Sequence, residues 1–424
     1  MKRLQILYIN KIHYMLGGAE AVYFTTAELM EKHGHKSLFF SMRHPKNIPA
    51  ETEGYFAPFL DIERNSGVFN LIRASLNVLY SFSARRCIAR LLDNYNVDIV
   101  HIHNIHRQMS PSILHELRKR NIPVVMTLHE HKMVCPSFLL LAHGRPCEAC
   151  KNGRYYNALK IRCVKNSLLR SFLAMIEAYL HFSIMDIYKN VDIFIAPSMF
   201  LKDKHEEMGF KKKLVHLPYP LDLKKYEYLY KEPQISKGDK IRFIYFGRIV
   251  KEKGVFTFID AILQLLHKFK RDEVEFKIIG DGPAKEEIKE RSKDMDSSIG
   301  FTGFLEGERL YKEVSNAHVI VIPSEWYENY PVSVMEAFTL GRPVIGSRIG
   351  GIPEMVQNGE TGLTFNPGDS EDLCEKMAEF IHRRDNIIKM GRNAREFAMR
   401  VFDAESHYSR LIEIYKMAMD RKRT

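Results

Sequence analysis

The stretch IRFIYFGRIVKEKG, residues 241–254, contains the pattern from which the fold can be predicted. Its first residues are apolar except for Arg242, as in a strand buried on both faces, and a loop with glycine and basic residues follows. Similar runs occur at LQILYIN (4–10), VDIVHIH (97–103), PVVMTLH (123–129), VDIFIAP (191–197), VEFKIIG (274–280), SIGFTG (298–303), AHVIVIPS (317–324) and RPVIGS (342–347). Helical patterns separate these runs. The sequence therefore predicts an α/β protein with parallel sheets, in which ligands bind at the carboxyl ends of the strands.

The chain length and the restart of the strand series predict two domains. A chain of 424 residues is too long for one ordinary core. A segment rich in Pro, Lys and Tyr precedes residue 241 and is typical of a linker. We predict a Rossmann-like domain over residues 1–230 with a cysteine-rich insertion at 135–163, and a second Rossmann-like domain over 231–404. A helix over 405–424 is expected to pack back on the first domain.

Composition and charge restrict the partners and the compartment. No run of eighteen apolar residues exists, and the N-terminus reads as a first strand with no signal peptide, so a cytoplasmic protein is predicted. The net charge is 63 − 52 = +11. This balance favours anionic partners, namely nucleotides, nucleic acid or an acidic membrane leaflet, without choosing among them.

The segment ENYPVSVMEA, residues 328–337, places two carboxylates around the start of a helix. Pro331 suits the first helical turn and Gly341 the position just past the end, which predicts a helix over 331–340. Glu328 then lies in the loop before the helix, and Glu336 lies within it. Because a helix N-terminus favours an anion, the two carboxylates would address different parts of one anionic ligand.

Glycine and basic residues follow two other strands. Gly247 comes directly after a strand, with Arg248 and Lys253 in the same loop, and guanidinium and ammonium groups at this edge suit a diphosphate. Gly280 and Gly282 permit positive φ and a close approach of the backbone. These loops indicate a binding site for a nucleotide diphosphate.

The ordered set of these motifs resembles retaining glycosyltransferase family 4, which has the two-domain GT-B fold. The matching pieces are GRIVKEKG (247–254), GDGP (280–283), PSEWYENYPVSVMEA (323–337), GIPE (351–354) and TGL (361–363). The resemblance covers nearly the whole chain and is strongest from 241 to 370. It implies two Rossmann-like domains that face one another across a cleft.

The resemblance also implies roles for the charged residues. Glu336 would accept hydrogen bonds from the ribose hydroxyls of the nucleotide, and Glu328 would contact the donor sugar near its reacting face. Arg248 and Lys253 would hold the diphosphate and stabilise its charge as it leaves. No divalent cation is expected to be needed for catalysis.

Backbone groups of both halves would complete the donor site. The N–H groups of Asn329 and Tyr330 would assist the basic residues. In the first half, the loop MLGGAEAV (15–22) opens a helix after the first strand and is similar to a GGxE motif of the family. Gly17 and Gly18 would let the backbone approach the phosphate and sugar of the donor.

Histidines follow two strands of the first half. His103 and His129 correspond to family positions close to the donor sugar and the acceptor, with His129 in a catalytic role and His103 on the acceptor side. Glu130 stands where many relatives have aspartate, so its role, also on the acceptor side, is left open. His101 lies inside an apolar run and is expected to be a core histidine.

Four of the six cysteines, Cys135, Cys147, Cys150 and Cys163, lie within 29 residues in a C-x11-C-x2-C-x12-C pattern. In a cytoplasmic protein this clustering predicts a structural zinc site with four thiolate ligands. An iron–sulfur cluster and free thiols are the alternatives. Insertions of this kind occur in family members that act in bacterial surface-polysaccharide synthesis.

The resemblance implies a retaining hexosyltransferase that uses a nucleotide diphosphate sugar, with UDP the commonest choice in the family. The acceptor would be a hydroxyl of a saccharide, with a lipid-linked saccharide favoured. Two amphipathic segments, 67–92 and 164–189, are either ordinary domain helices or interfacial helices on an anionic membrane. The alternatives are an epimerase or phosphorylase on the same fold, a nucleic-acid-binding protein and an inactive scaffold.

Overall fold

The computed structural model describes residues 3–59, 75–225, 227–233, 235–236, 238–295 and 298–423. Its contacts divide the chain into two units. The first comprises residues 1–143, 147–220 and 404–424, and the second comprises 144–146 and 221–403. Residues 67–74 of one predicted amphipathic segment lie outside the described residues.

The first unit contains a six-stranded parallel sheet in the order β2-β1-β3-β4-β7-β8. The strands of this sheet are β1 (Gln5–Ile9), β2 (Lys36–Phe40), β3 (Ile99–Ile102), β4 (Val124–Thr127), β7 (Ile193–Ala196) and β8 (Leu214–His216). A separate two-stranded sheet is formed by β5 (Leu141–Ala142) and β6 (Arg145–Pro146). The order of the large sheet reverses between β1 and β3, so the loops that follow these two strands flank its switch point.

The second unit contains another six-stranded parallel sheet, in the order β11-β10-β9-β12-β13-β14. Its strands are β9 (Ile241–Phe246), β10 (Val274–Ile279), β11 (Ile299–Gly303), β12 (Val319–Ile322), β13 (Val344–Ser347) and β14 (Gly362–Phe365). Its order reverses between β9 and β12. Ligands of open parallel sheets bind outside the carboxyl ends of the strands at such a point.

Each of the nine predicted strand runs contains a strand, which confirms the predicted α/β class. The sequence reading missed β2, β8 and β14 of the two large sheets, and the short strands β5 and β6. The α-helices that lie wholly within the described residues are α1 (Gly18–Lys32), α2 (Phe82–Asn94), α3 (Ile113–Lys119), α4 (Tyr156–Ile161), α5 (Leu168–Ala178), α6 (Met199–Glu207), α7 (Val255–Lys268), α8 (Lys285–Arg291), α9 (Gly307–Asn316), α10 (Val332–Thr339), α11 (Ile352–Met355), α12 (Ser370–His382), α13 (Asp385–Val401) and α14 (Ala404–Arg423). In the described residues, no helix is both long enough and apolar enough to cross a membrane.

Each sheet is buried in a hydrophobic core of its own unit. In the first unit, Ile6 and Ile99 of the sheet pack in one cluster with Leu411 and Tyr415 of α14. The C-terminal helix therefore belongs to the core of the first unit. In the second unit the strands pack against α7 and α12. Covered sheets of this kind leave the strand ends as the places where functional side chains are exposed.

Candidate functional site

Two loops of the second unit meet at the switch point of its sheet. The loop after β9 carries Lys253, and the loop after β12 carries Glu328. The Nζ of Lys253 lies 2.5 Å from Oε1 of Glu328, and both side chains are largely shielded from solvent. The sheet order thus brings together two side chains that are 75 positions apart in the chain.

Two further donors hold the same carboxylate oxygen of Glu328. The Ser324 hydroxyl donates to Oε1 at 2.6 Å, and the indole N–H of Trp326 donates at 2.8 Å. The ammonium group of Lys253 also lies 5.4 Å from the centre of the Trp326 ring, within cation–π range. The carboxylate is therefore fixed in position before any ligand arrives.

This arrangement keeps Glu328 ionised although it is buried. Burial alone would raise the pKa of Glu328, but the charge of Lys253 and the hydrogen bonds from Lys253, Ser324 and Trp326 outweigh it. The net pKa lies below the ordinary value of a glutamate. Glu328 is thus a permanent anion near neutral pH.

The backbone of Glu328 is held by a tight turn after β13. The amide of Gly351 donates to the carbonyl of Glu328 at 2.8 Å. Gly350 has φ +63°, and a Cβ there would lie 2.6 Å from the backbone nitrogen of Glu328. Only glycine permits this approach, so the Gly350–Gly351 turn sets the position of the carboxylate.

The glycines after β9 and β10 serve the packing of one loop on another. Gly280 has φ +146°, and a Cβ there would overlap the carbonyl oxygen of Gly247. A Cβ on Gly282 would overlap the carbonyl oxygen of Ile249. The Tyr245 hydroxyl also donates to the backbone carbonyl of Arg248, in the loop after β9, at 2.6 Å. The close approach predicted at Gly280 and Gly282 is therefore an approach to neighbouring backbone.

The second carboxylate lies on α10 in a different environment. Glu336 is half-buried, and burial raises its pKa to about 7, with a hydrogen bond from Tyr311 opposing the rise. The predicted helix 331–340 was one residue too long at each end. Pro331 is the N-cap, with φ −67° and ψ 116°, and Leu340 is the C-cap. Proline fixes φ only, so the sequence could not tell this extended ψ from a helical one.

The other predicted donor-site residues described next lie in the loops that carry Lys253 and Glu328. Arg248 is exposed in the β9 loop, beside exposed Gly247. Asn329 and Tyr330 come directly before the N-cap of α10. Tyr330 is buried with its ring against Phe402, with a centroid separation of 6.1 Å, and burial raises its pKa. A cationic loop and a helix N-terminus therefore occur at the switch point of one sheet.

Three aromatic side chains form a hydrogen-bonded chain in the first unit. His103 Nδ1 lies 2.8 Å from His129 Nε2, and His129 Nδ1 lies 2.8 Å from the hydroxyl of Tyr219. Burial lowers the pKa of His129 to about 3 and holds that of His103 well below its usual value. Both imidazoles are therefore neutral. Since both nitrogens of His129 are engaged and His103 is only 1% exposed, these rings position one another.

Polar residues that the sequence reading did not single out lie at the switch point of the first sheet. Asn10 follows β1, and its side chain donates to Glu20 at 3.3 Å and accepts from the amide of Asn104 at 3.0 Å. The charge of Lys11 acts on both Glu20 and Glu130, whose pKa values are raised, mainly by burial. Asn10, Lys11 and Asn104 occur in loops without a repeating pattern, which gave no signal.

The predicted glycine loop and the predicted core histidine lie in the same unit. Gly17 is the N-cap of α1 with φ −173°, an extended value that any residue adopts, and Gly18 is the first residue of the helix. Both are exposed, which leaves the helix start accessible. His101 is buried and bonds to Tyr415 at 2.7 Å and to Thr127 at 2.8 Å. It is a core histidine, as the sequence predicted.

The four clustered cysteines lie near one another without disulfides. Burial and the neighbouring thiols Cys135, Cys163 and Cys147 raise the pKa of Cys150 to about 12. The Ser137 hydroxyl is 3.2 Å from the sulfur of Cys135 and also bonds to Cys163. Across the described ranges, no three His, Cys, Asp or Glu side chains are arranged as a metal-holding group. The zinc site stays a prediction.

Comparisons with known proteins match both units. Residues 16–225 match the model of Glycosyltransferase Family 4, and residues 229–397 match that of Glycosyl transferases group 1. Sulfoquinovosyl transferase SQD2 of Arabidopsis thaliana is 36% identical over 38% of this chain and 31% of its own length. An uncharacterised 42.6 kDa protein in the cps region of Klebsiella pneumoniae is 25% identical over 83% of this chain and 87% of its own. The chain thus spans about a third of the first relative and most of the second.

Solved structures show the fold. Sucrose-phosphate synthase from Thermosynechococcus elongatus superimposes with a TM-score of 0.72 at 18% identity and covers 99% of this chain and 100% of that one. Anabaena HepE in complex with UDP-glucose gives a TM-score of 0.64 at 16% identity, over 98% of this chain and 100% of that one. The two family matches follow one another along the sequence, one in each half. Each half of the chain therefore matches a glycosyltransferase family model, and the chain has the GT-B fold of these solved structures.

Proposed function

We propose that this protein transfers a hexose from a UDP-sugar to a hydroxyl of a saccharide acceptor with retention of configuration at the anomeric carbon. The observation that carries the proposal is the Glu328 carboxylate, fixed by Lys253, Ser324 and Trp326 at the switch point of the second sheet. A sugar nucleotide bound there would meet a rigid carboxylate, basic side chains and a helix N-terminus together.

The chemistry needs no nucleophile from the protein, because the leaving nucleotide activates the sugar. The bond from the anomeric carbon to the phosphate oxygen breaks, and a bond to the acceptor oxygen forms on the same face. The departing phosphate takes the proton of the acceptor hydroxyl. Arg248, Lys253 and the start of α10 would stabilise the charge that develops on the phosphate, which is the largest contribution such a site can make.

The Lys253–Glu328 contact explains how this cation is kept in place. Lys253 carries a flexible side chain, and its ammonium is anchored by the carboxylate before the ligand binds. Anchoring reduces the entropy that would be lost when the ammonium meets a diphosphate.

UDP is the proposed nucleotide. Anabaena HepE, which shares the fold, has been solved in complex with UDP and with UDP-glucose. Calorimetric titration of the protein with UDP, GDP and ADP, without added metal, tests this choice. We expect UDP to bind tightest. Tighter binding of GDP or ADP would mean that this nucleotide, and not UDP, is part of the donor. No binding by any of the three would contradict the donor site.

Product analysis separates transfer from the rival reactions. A transferase incubated with UDP-sugar and saccharide releases UDP and forms a glycoside, whereas an epimerase converts the donor without an acceptor. A phosphorylase would need inorganic phosphate to cleave a glycoside. Retention is tested by NMR of the first product formed, and an inverted anomeric centre would contradict it.

We further propose that the acceptor is a lipid-linked saccharide used in surface-polysaccharide synthesis on the cytoplasmic side of a membrane. Two relatives support this context by their names. One belongs to the cps region of Klebsiella pneumoniae, and another is a putative colanic acid biosynthesis glycosyltransferase, WcaL, of Salmonella typhimurium. Transfer to a lipid-linked acceptor and to the same saccharide without lipid should be compared, and we expect the lipid-linked form to be preferred.

A further inference from the structure

Helix α5 has the reverse burial pattern of an ordinary surface helix, whose apolar side is buried. Its buried side consists of Ser171, Ala174, Glu177 and Ala178. Small and polar side chains therefore face the interior. The buried glutamate is neutralised by Lys132, whose Nζ lies 2.9 Å from its carboxylate.

The apolar residues of α5 are on the opposite side. Leu169, Phe172, Leu173 and Ile176 recur at the i, i+3, i+4 and i+7 positions of one helical stripe. Leu169 is 54% exposed and Phe172 43% exposed, and the preceding Leu168 is 55% exposed. Leu173 and Ile176 are half-buried, so the stripe is exposed at the N-terminal half of the helix. Large apolar side chains exposed next to one another are typical of an interaction surface.

The same part of the chain is strongly basic. Between residues 154 and 176 the sequence has five basic residues and no Asp or Glu. All five are exposed, and they are Arg154, Lys160, Arg162, Lys165 and Arg170. Tyr156 is also exposed, with the ammonium of Lys160 4.8 Å from its ring centre. Exposed leucine and phenylalanine with lysine and arginine around them are typical of helices that lie in a membrane interface.

We propose that the exposed part of α5 at Leu168, Leu169 and Phe172, with the exposed basic residues of the adjoining segment 154–170, binds the surface of an anionic lipid bilayer. The apolar side chains would enter the boundary between headgroups and acyl chains. The basic side chains would contact lipid phosphates, where each adds to the binding while the ionic strength is moderate.

The positive charge of this face favours an anionic lipid surface over a second copy of this chain as its partner. A symmetric dimer formed through this face would place the same surface against itself. Five cations without a local acid would then meet five others, which opposes association. An anionic leaflet has the complementary charge. This inference does not depend on the proposed transfer reaction, because it concerns a face of the first unit alone.

The experiment is sedimentation of the full chain with vesicles. Vesicles of phosphatidylglycerol and phosphatidylcholine are compared with vesicles of phosphatidylcholine alone, at low and high salt. We expect binding to the anionic vesicles that falls at high salt. The double variant Leu169→Ser/Phe172→Ser should bind the anionic vesicles at least about tenfold more weakly, because the partial burial of two large apolar side chains is lost. Lys165→Gln/Arg170→Gln should weaken binding and reduce its salt dependence.

A matched control is Phe304→Ser, in the second unit, because this phenylalanine is 61% exposed and lies outside the proposed surface. It should bind vesicles as the wild type does. Each variant is also titrated with UDP, so that loss of fold or of the donor site is distinguished from loss of lipid binding. Wild-type protein that stays in solution with anionic vesicles would overturn the proposal. Equal weakening by Phe304→Ser would overturn it too, as would a dimer that only Leu169→Ser/Phe172→Ser dissociates.

Discussion

The raised pKa of Glu336 leads to a prediction that couples nucleotide binding to pH. Glu336 has a pKa of about 7 because it is buried. In the proposed contact, the ionised carboxylate would accept stronger hydrogen bonds from the ribose hydroxyls than the neutral acid would. Glu336→Gln keeps the shape and removes the charge. At about pH 8 this change should weaken UDP binding by roughly 1.5–3 kcal/mol, which is the usual contribution of a hydrogen bond to a charged group.

The pH scale of the effect follows from the same pKa. With a pKa of about 7, about a tenth of Glu336 is ionised at about pH 6 and about nine-tenths at about pH 8. The wild type should therefore lose about tenfold in UDP affinity between these values, apart from any change due to the ligand. Glu336→Gln has no carboxyl to titrate, so its affinity should change only as the ligand itself titrates. The two proteins should converge towards about pH 6.

Stability should respond with the opposite sign. The folded-state pKa lies above the ordinary glutamate value of 4.5, so the folded chain binds the proton more tightly than the unfolded chain does. The contribution of Glu336 to the free energy of unfolding therefore decreases as the pH rises from about 4.5 to about 7. Above this window Glu336→Gln should be more stable than the wild type.

Calorimetry of UDP binding at several pH values and denaturant unfolding of both proteins measure these effects. Glu396→Gln is the control, because Glu396 is an exposed glutamate on α13 of the same unit. It should leave both profiles unchanged. An affinity that Glu336→Gln does not alter at about pH 8 would refute the ribose contact. A wild-type profile that follows the variant across the range would refute the raised pKa.

Three other changes test the remaining parts of the molecule. Glu328→Gln should slow transfer by about tenfold or more with little loss of UDP affinity, and full activity would exclude a catalytic role. Gly350→Ala should lower the free energy of unfolding by about 2 kcal/mol or more, because its Cβ would meet the backbone of Glu328, whereas Gly359→Ala, with φ +82° and open space around it, should cost only about 1 kcal/mol. Equal costs would contradict this packing. Metal analysis of protein purified without chelators should find about one zinc per chain, lost in Cys147→Ser and kept in Cys87→Ser, and less than about half an equivalent in the wild type would count against the site.

Secondary structure is predicted best from the sequence where the apolar residues follow a clear pattern along the element. Strands buried on both faces are continuous apolar runs, so runs such as residues 241–246 were found without ambiguity. The missed strand Lys36–Phe40 begins with two polar residues, and Gly362–Phe365 begins with a glycine that reads as a turn. A polar or glycine start leaves such short strands with an apolar run too short to recognise.

Contacts between loops were beyond the sequence for a different reason. Ser324 and Trp326 hold the Glu328 carboxylate, yet neither residue type indicates this role in isolation. The only signal was that the one tryptophan of the chain falls within the motif that enters α10. Tyr219, which holds His129, lies in a segment that reads as a linker. The hydrogen-bond partners of these site residues depend on which strand ends are neighbours. The order of the strands in the sheet determines this.

The two carboxylates of ENYPVSVMEA differ because their surroundings act on them in opposite directions. Glu328 and Glu336 are eight positions apart, and burial disfavours the charge of both. At Glu328 an ammonium, a hydroxyl and an indole N–H more than offset burial, so the charge is permanent. At Glu336 a single tyrosine opposes burial, so the charge is poised near neutrality. A permanent anion suits a group that anchors Lys253 through every turnover. Ribose hydroxyls that stabilise the charged form of Glu336, as we propose, would lower its pKa, so nucleotide binding and ionisation of Glu336 would be one coupled event.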